Sequence, residues 1–139
     1  MDRKRLRDRL IKNEGLRLRP YPDQFGLVTI GVGRCLDRKG ISKEEAFYML
    51  DNDIDDCIDD CRADISFFGA LDDVRQEVLV EMCFQMGIVG LLGFREMLYQ
   101  VERRNFAAAA KEMLNSKWAK QTPNRAKELS GLMEGGLSG

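Results

Sequence analysis

The chain has no histidine at all, only three prolines and one tryptophan, and four cysteines among its 139 residues. Without histidine, a zinc site would need a shell of cysteines alone or of cysteines and acids. The cysteines, Cys35, Cys57, Cys61 and Cys83, include no pair at the short spacing of a zinc ribbon. No metal and no cofactor are therefore expected. Cys57 and Cys61 stand one helical turn apart, which puts their Cβ atoms about 5–6 Å from each other. That is too far for an unstrained disulfide. The four read as small buried hydrophobes in a reducing compartment. No apolar run approaches the roughly 20 residues of a membrane span. The opening residues, Met1-Asp2-Arg3-Lys4-Arg5-Leu6-Arg7, are charged and no apolar stretch follows them, unlike a secretion signal. The expectation is a chain made in a cytoplasm, with no membrane partner, that acts elsewhere only after release. Repeats and low-complexity linkers are absent. No recognition motif accompanies the basic residues, so no nucleic-acid partner is expected either.

What is present fits a single domain over 1–139, expected as a monomer. The apolar share, 44%, suffices to bury a core without disulfides or metals. The net charge of −1 hides strong patterning. Residues 1–19 carry eight Lys/Arg against three acids, 37–77 carry thirteen acids against five bases, and 95–128 carry eight bases against four acids. Basic segments attract anionic polymers, although most such charges simply solvate helix faces.

Hydrophobic periodicity predicts a helix over 3–13, with Asp2 as N-cap, a stripe of Leu6, Leu10 and Ile11, and Gly15 as the stop. The period then changes. Pro20-Tyr21-Pro22-Asp23-Gln24-Phe25-Gly26 is turn chemistry. Leu27-Val28-Thr29-Ile30-Gly31-Val32-Gly33 reads as a strand, and its glycines leave one side bare for a close approach by backbone or ligand. Ser42-Lys43-Glu44-Glu45 is a capping box opening a helix over 43–62. That helix carries Ala46, Phe47, Leu50, Ile54, Cys57, Ile58 and Cys61 on one stripe. Further helices are predicted over 73–86, 94–103, 105–114 and 125–133, with Gly87, Gly90 and Gly93 as breaks and a frayed tail from Glu134 on. The fold class is α+β, mainly α. A small β-hairpin or three-stranded sheet lobe (about 14–42) is joined by a long connecting helix (43–62) to a helical lobe (about 63–133, plus 1–13). Such a pair of lobes implies a cleft.

Two carboxyl groups flanking a scissile bond are what glycoside hydrolysis needs: one protonates the leaving oxygen, the other activates water or attacks. Glu14 at a helix end and Asp23 in a turn are one such pair, and the hydroxyl of Thr29 in the next strand is suited to hold a water. With twenty-three acids in the chain, spacing alone selects no pair.

The wording of the segment does select one. Asn13-Glu14-Gly15-Leu16-Arg17-Leu18, then Tyr21-x-Asp23, then Gly26-x-x-Thr29-Ile30-Gly31-x-Gly33 resembles the catalytic signature of the T-even phage lysozymes, glycoside hydrolase family 24. Two distant stretches agree with it: Phe84-Gln85-Met86-Gly87, and Ser116-x-Trp118-x-x-Gln121-Thr122-Pro123-Asn124-Arg125-Ala126. The resemblance implies a peptidoglycan hydrolase, a muramidase cutting between N-acetylmuramic acid and N-acetylglucosamine with inversion. Glu14 matches the general acid, Asp23 the carboxylate that activates the water, and Thr29 the residue that helps hold it. Arg125 matches an arginine that pairs with the catalytic glutamate. Phe84 and Gln85 fall where the family lines its sugar groove. The partner implied is the bacterial cell wall, and the alternative is a wall-binding module on the same fold without turnover.

The chain also departs from the family. Arg34 replaces a histidine whose aspartate partner aligns with Asp53, so an Arg34–Asp53 ion pair is expected, with two unrelated surface charges as the alternative. The stretch from Leu36 to Ser42 is short, which predicts a smaller β lobe and a shallower groove. Trp118 either stacks on sugar or packs beneath Gln121-Thr122-Pro123. Tyr21 either hydrogen-bonds in the cleft or packs in the hairpin, of which packing is the expectation.

Overall fold

The computed structural model describes residues 1–136. The chain divides into two compact units, Met1–Met49 and Leu50–Gly139. In the first, Asp2 opens helix α1 (Arg3–Glu14), its Oδ1 accepting the Arg5 amide at 3.0 Å. This satisfies one of the donors that a helix start leaves without a partner. Gly15, at φ 82°, closes the helix with its N–H on the Ile11 carbonyl at 2.8 Å. Helix α1 falls in the first unit.

Strands β1 (Arg17–Pro22), β2 (Val28–Gly31) and β3 (Arg34–Cys35) form an antiparallel sheet in the order β1-β2-β3. The β1–β2 register is irregular, because Arg17 faces Gly31 while Tyr21 faces Thr29. Pro20 sits in this bulge, where its lack of an N–H costs the ladder nothing. Arg17 lies over the Tyr21 ring at 4.6 Å, so Tyr21 is packed within the hairpin as expected. The shortened stretch before Ser42 holds a helix the sequence did not reveal, α2 (Leu36–Lys39). Asp37 Oδ2 on it accepts the Val28 amide at 2.8 Å and ties α2 to β2. The capping box forms: the Glu45 amide donates to Ser42 Oγ at 3.0 Å and the Ser42 amide to Glu45 Oε1 at 2.9 Å. It opens α3 (Lys43–Asp64), a helix that begins in the first unit and ends in the second.

The second unit is helical. A 3-10 turn (Phe68–Ala70) precedes α4 (Asp73–Leu92), α5 (Arg95–Glu102), α6 (Phe106–Leu114), α7 (Lys117–Gln121) and α8 (Pro123–Gly135). Side chains of Asp72, Asn105 and Ser116 cap α4, α6 and α7, and Pro123 takes the first turn of α8, where its missing N–H is not needed. Gly87 (φ 80°, ψ 164°) kinks α4 and Gly93 ends it, but Gly90 stays helical. The core gathers Cys61, Phe68, Leu79, Met82, Leu91, Met97, Val101, Met113, Leu129 and Met133. Its four methionines are flexible enough to fill irregular gaps between short helices. Cys61 and Cys83 are buried in this core, whereas Cys35 and Cys57 are only partly covered, and all four are free thiols. Burial pushes the Cys57 and Cys61 thiols up to about 11 and raises that of Cys83, the behaviour of packed rather than reactive cysteines. The frayed tail was predicted from Glu134, yet α8 continues through Gly135. Residues 137–139 of that tail lie outside the described residues.

Candidate active site

The first unit carries Glu14, Asp23 and Thr29 on three successive pieces of chain. Glu14 is the last residue of α1, exposed, and placed by the helix stop at Gly15. Its side chain runs against Gly33 in the β2–β3 turn. A methyl group on that glycine would stand 2.7 Å from Glu14 Oε2, so the bareness expected of this strand accommodates a protein carboxylate here.

Asp23 is half-buried and its two oxygens have different fates. Oδ1 accepts the amides of Phe25 at 2.8 Å and Leu27 at 2.9 Å. The Asp23 amide donates to the Leu27 carbonyl at 2.9 Å, and the Gly26 amide to the Asp23 carbonyl at 2.9 Å. The aspartate thus builds the turn that holds it, as aspartates in such turns do. Among the described residues Oδ2 accepts no hydrogen bond within the first unit, which leaves it free for a water. Thr29 is buried and its Oγ1 donates to the Leu27 carbonyl at 3.1 Å. Its hydroxyl oxygen keeps lone pairs to accept from a water. Leu27 therefore meets both Asp23 and Thr29, a link that sequence order alone did not indicate.

Arg34 does not pair with Asp53. Its Nη2 meets Glu45 Oε2 at 2.8 Å, and its Nη1 donates to Glu45 Oε1 at 2.9 Å and to the Gly40 carbonyl at 3.2 Å. Glu45 is fixed at the start of α3 by the capping box, close to the end of β3, whereas Asp53 lies two turns further on, about 12 Å along the helix. Hydrogen bonds from Arg34 and then from Ser42 hold the Glu45 carboxyl down to about 2, from an ordinary 4.5. The same partner raises Arg34. The signal is in the sequence, since Glu45 is half of a capping box. What stayed hidden was that one carboxylate serves both jobs.

The remaining candidates lie in the second unit. Phe84 and Arg125 line one groove of 720 Å³, together with Leu50, Ile54, Val80 and Glu81. Arg125 Nε donates to Glu81 Oε2 at 2.8 Å, so its carboxylate partner within this unit is Glu81. Sequence reasoning missed Glu81, which is one of many acids at helical spacing. Gln85 accepts the Trp118 indole N–H on its Oε1 at 2.9 Å. Trp118 is buried and meets Phe94 edge-on, with ring centroids 5.9 Å apart. Its ring packs against Phe94, where the sequence points beneath Gln121-Thr122-Pro123, and Gln85 is the polar partner a buried indole requires. Among the described residues no three His, Cys, Asp or Glu side chains are grouped to hold a metal ion, and no single helix is long and apolar enough to cross a membrane.

The family described as phage lysozyme matches residues 11–135. The chain belongs to that family. Two proteins of Dictyostelium discoideum, "Probable T4-type lysozyme 1" and "Probable T4-type lysozyme 2", are 29% and 28% identical to it, each over 94% of this chain and 94% of the relative. The pre-baseplate central spike protein Gp5 of Enterobacteria phage T4 is 28% identical over 87% of this chain and 26% of its own length. The lysozyme-like part is therefore one portion of that longer protein. The match takes in Glu14, Asp23, Thr29 and Arg125 alike, and it spans both units.

Proposed function

We propose that this chain is a muramidase that hydrolyses the β-1,4 bond between N-acetylmuramic acid and N-acetylglucosamine in bacterial peptidoglycan. Glu14 gives its proton to the leaving sugar oxygen as the glycosidic bond breaks. A water attacks the anomeric carbon from the opposite face and passes its proton to Asp23, so the configuration inverts. Thr29 accepts a hydrogen bond from that water. The observation that carries this reading is Asp23 itself, with one oxygen locked by two backbone amides and the other left for a water, in a chain of the phage lysozyme family.

Glu14 is exposed in the structure, and a general acid must hold its proton near the working pH. A glycan laid over the exposed carboxyl brings its leaving oxygen within reach of that proton. Phe84 and Arg125 contribute to sugar binding or support. The wall is reached after release from the cytoplasm in which the chain is made.

Clearing of purified peptidoglycan sacculi by the wild type and by Glu14→Gln tests the reading. The wild type is expected to release muropeptides, and Glu14→Gln to lose about 10²–10⁴-fold in rate, the range of general acid catalysis. A wild type that binds sacculi without clearing them would make the chain a wall-binding module instead. Full activity in Glu14→Gln would remove Glu14 from the acid's role.

A further inference from the structure

Gly31 and Gly33 flank the β2–β3 turn with nearly the same left-handed backbone, φ 69° and φ 66°. Their surroundings differ. A methyl group on Gly31 would meet nothing within 4 Å. On Gly33 it would stand 2.7 Å from Glu14 Oε2, 3.2 Å from its Cδ and 3.3 Å from its Cβ. The Glu14 side chain therefore lies along the bare α-carbon of Gly33 from its root to its outer oxygen. Within the first unit no hydrogen bond or ion pair holds that carboxylate, since the ion pairs there are Lys4–Asp8 and Arg34–Glu45. Its close approach to Gly33 is the neighbour relation the structure gives it in this unit.

We propose that Gly33 is a positioning residue for Glu14: the missing side chain sets where the carboxyl lies, and so where its proton is presented to the substrate. This rests on the reading of Glu14 as the general acid. Proton transfer requires the acid within hydrogen-bond reach of the leaving oxygen, and a misplacement of about 1 Å costs about 10²-fold in rate. A β-carbon at position 33 pushes the carboxylate aside by a distance of that order. Gly31 is the reference, with a similar positive φ and open space where Gly33 has Glu14.

The test measures the rate of peptidoglycan solubilisation and the Tm for Gly33→Ala and Gly31→Ala, each with and without Glu14→Asp. A β-carbon strains the left-handed backbone at both sites, so both substitutions should lower Tm. Gly33→Ala should also lose about 10²-fold in rate relative to Gly31→Ala. The shorter Glu14→Asp side chain lacks the two atoms that the added methyl crowds most, Oε2 and Cδ, and keeps only the 3.3 Å approach at Cβ. It should therefore cost less in the Gly33→Ala background than in wild type, and its full factor in the Gly31→Ala background. Equal rate losses for the two alanines, or the same Glu14→Asp factor in both backgrounds, would overturn the proposal. If Gly33→Ala does not fold, the pair Gly33→Asn and Gly31→Asn carries the same comparison, because asparagine tolerates positive φ best after glycine. Failure of this inference and of the parent reading are distinguishable. A Glu14→Gln variant that clears sacculi at the wild-type rate overturns both. An inactive Glu14→Gln beside indistinguishable alanines overturns only the role of Gly33.

Discussion

Thr29 is the one buried side chain of the first unit, whereas the second packs Phe68, Leu79, Met82, Leu91, Met113 and Leu129 into an apolar core. The first unit is instead organised by short polar connections. Asp2 caps α1, Asp23 ties its own turn, Asp37 holds the Val28 amide, and Glu45 both caps α3 and grips Arg34. The candidate acid, base and water-holding residue all sit in this polar unit. Phe84 and Arg125 sit on helices that are anchored by the core of the other. The candidate catalytic groups are thereby set apart from the apolar core. A site built from local hydrogen bonds fixes individual oxygens, while an apolar core fixes whole helices.

The largest expected effect falls in the second unit. Phe68 is 2% exposed, and Phe68→Ala should cost about 3–5 kcal/mol in urea unfolding. A loss under about 1 kcal/mol would mean that this core is not the main source of stability. In the first unit the corresponding change is smaller. Asp2→Ala removes the cap of α1 and should cost about 1 kcal/mol, while Asp2→Asn, which keeps the acceptor, should cost almost nothing. Equal losses for the two would show that charge near the helix start, rather than the cap bond, is what matters.

The weakest handle is pH. Glu45 is depressed to about 2 in the folded chain, chiefly by its hydrogen bond from Arg34. A carboxyl held below its unfolded value stabilises the fold above that value and loses the contribution as the group protonates. The Arg34–Glu45 contribution is therefore complete above about pH 4.5 and declines toward about pH 2. Tm measured across that window should fall less steeply in Glu45→Gln than in wild type. Identical slopes would show that other carboxylates govern the acid limb.

What the sequence disclosed follows the same division. Caps, turns and the capping box are written in a few adjacent residues, so Asp2, Gly15, Ser42 and Glu45 were legible as helix boundaries. The catalytic candidates were legible only because three distant motifs agree in order. α2 and α7, at four and five residues, are too short to show a period. The contacts of Arg34 and Arg125 were misread or missed because a charged side chain can choose among several acids, and the choice is made by packing. Glu14 against Gly33 was half legible: two glycines announced a close approach, but not what approaches.

Asp23→Asn tests most directly whether chemistry and stability separate at this site. Asparagine keeps a side-chain oxygen for the Phe25 and Leu27 amides but gives up the negative charge that takes a proton from water. Tm and sacculus clearing measured on the same preparation should show a Tm within about 2 °C of wild type, equivalent to about 0.5 kcal/mol or less, and a rate lower by about 10² or more. Wild-type clearing by Asp23→Asn would contradict the account, since Asp23 would then be a turn residue and the base would have to be sought elsewhere.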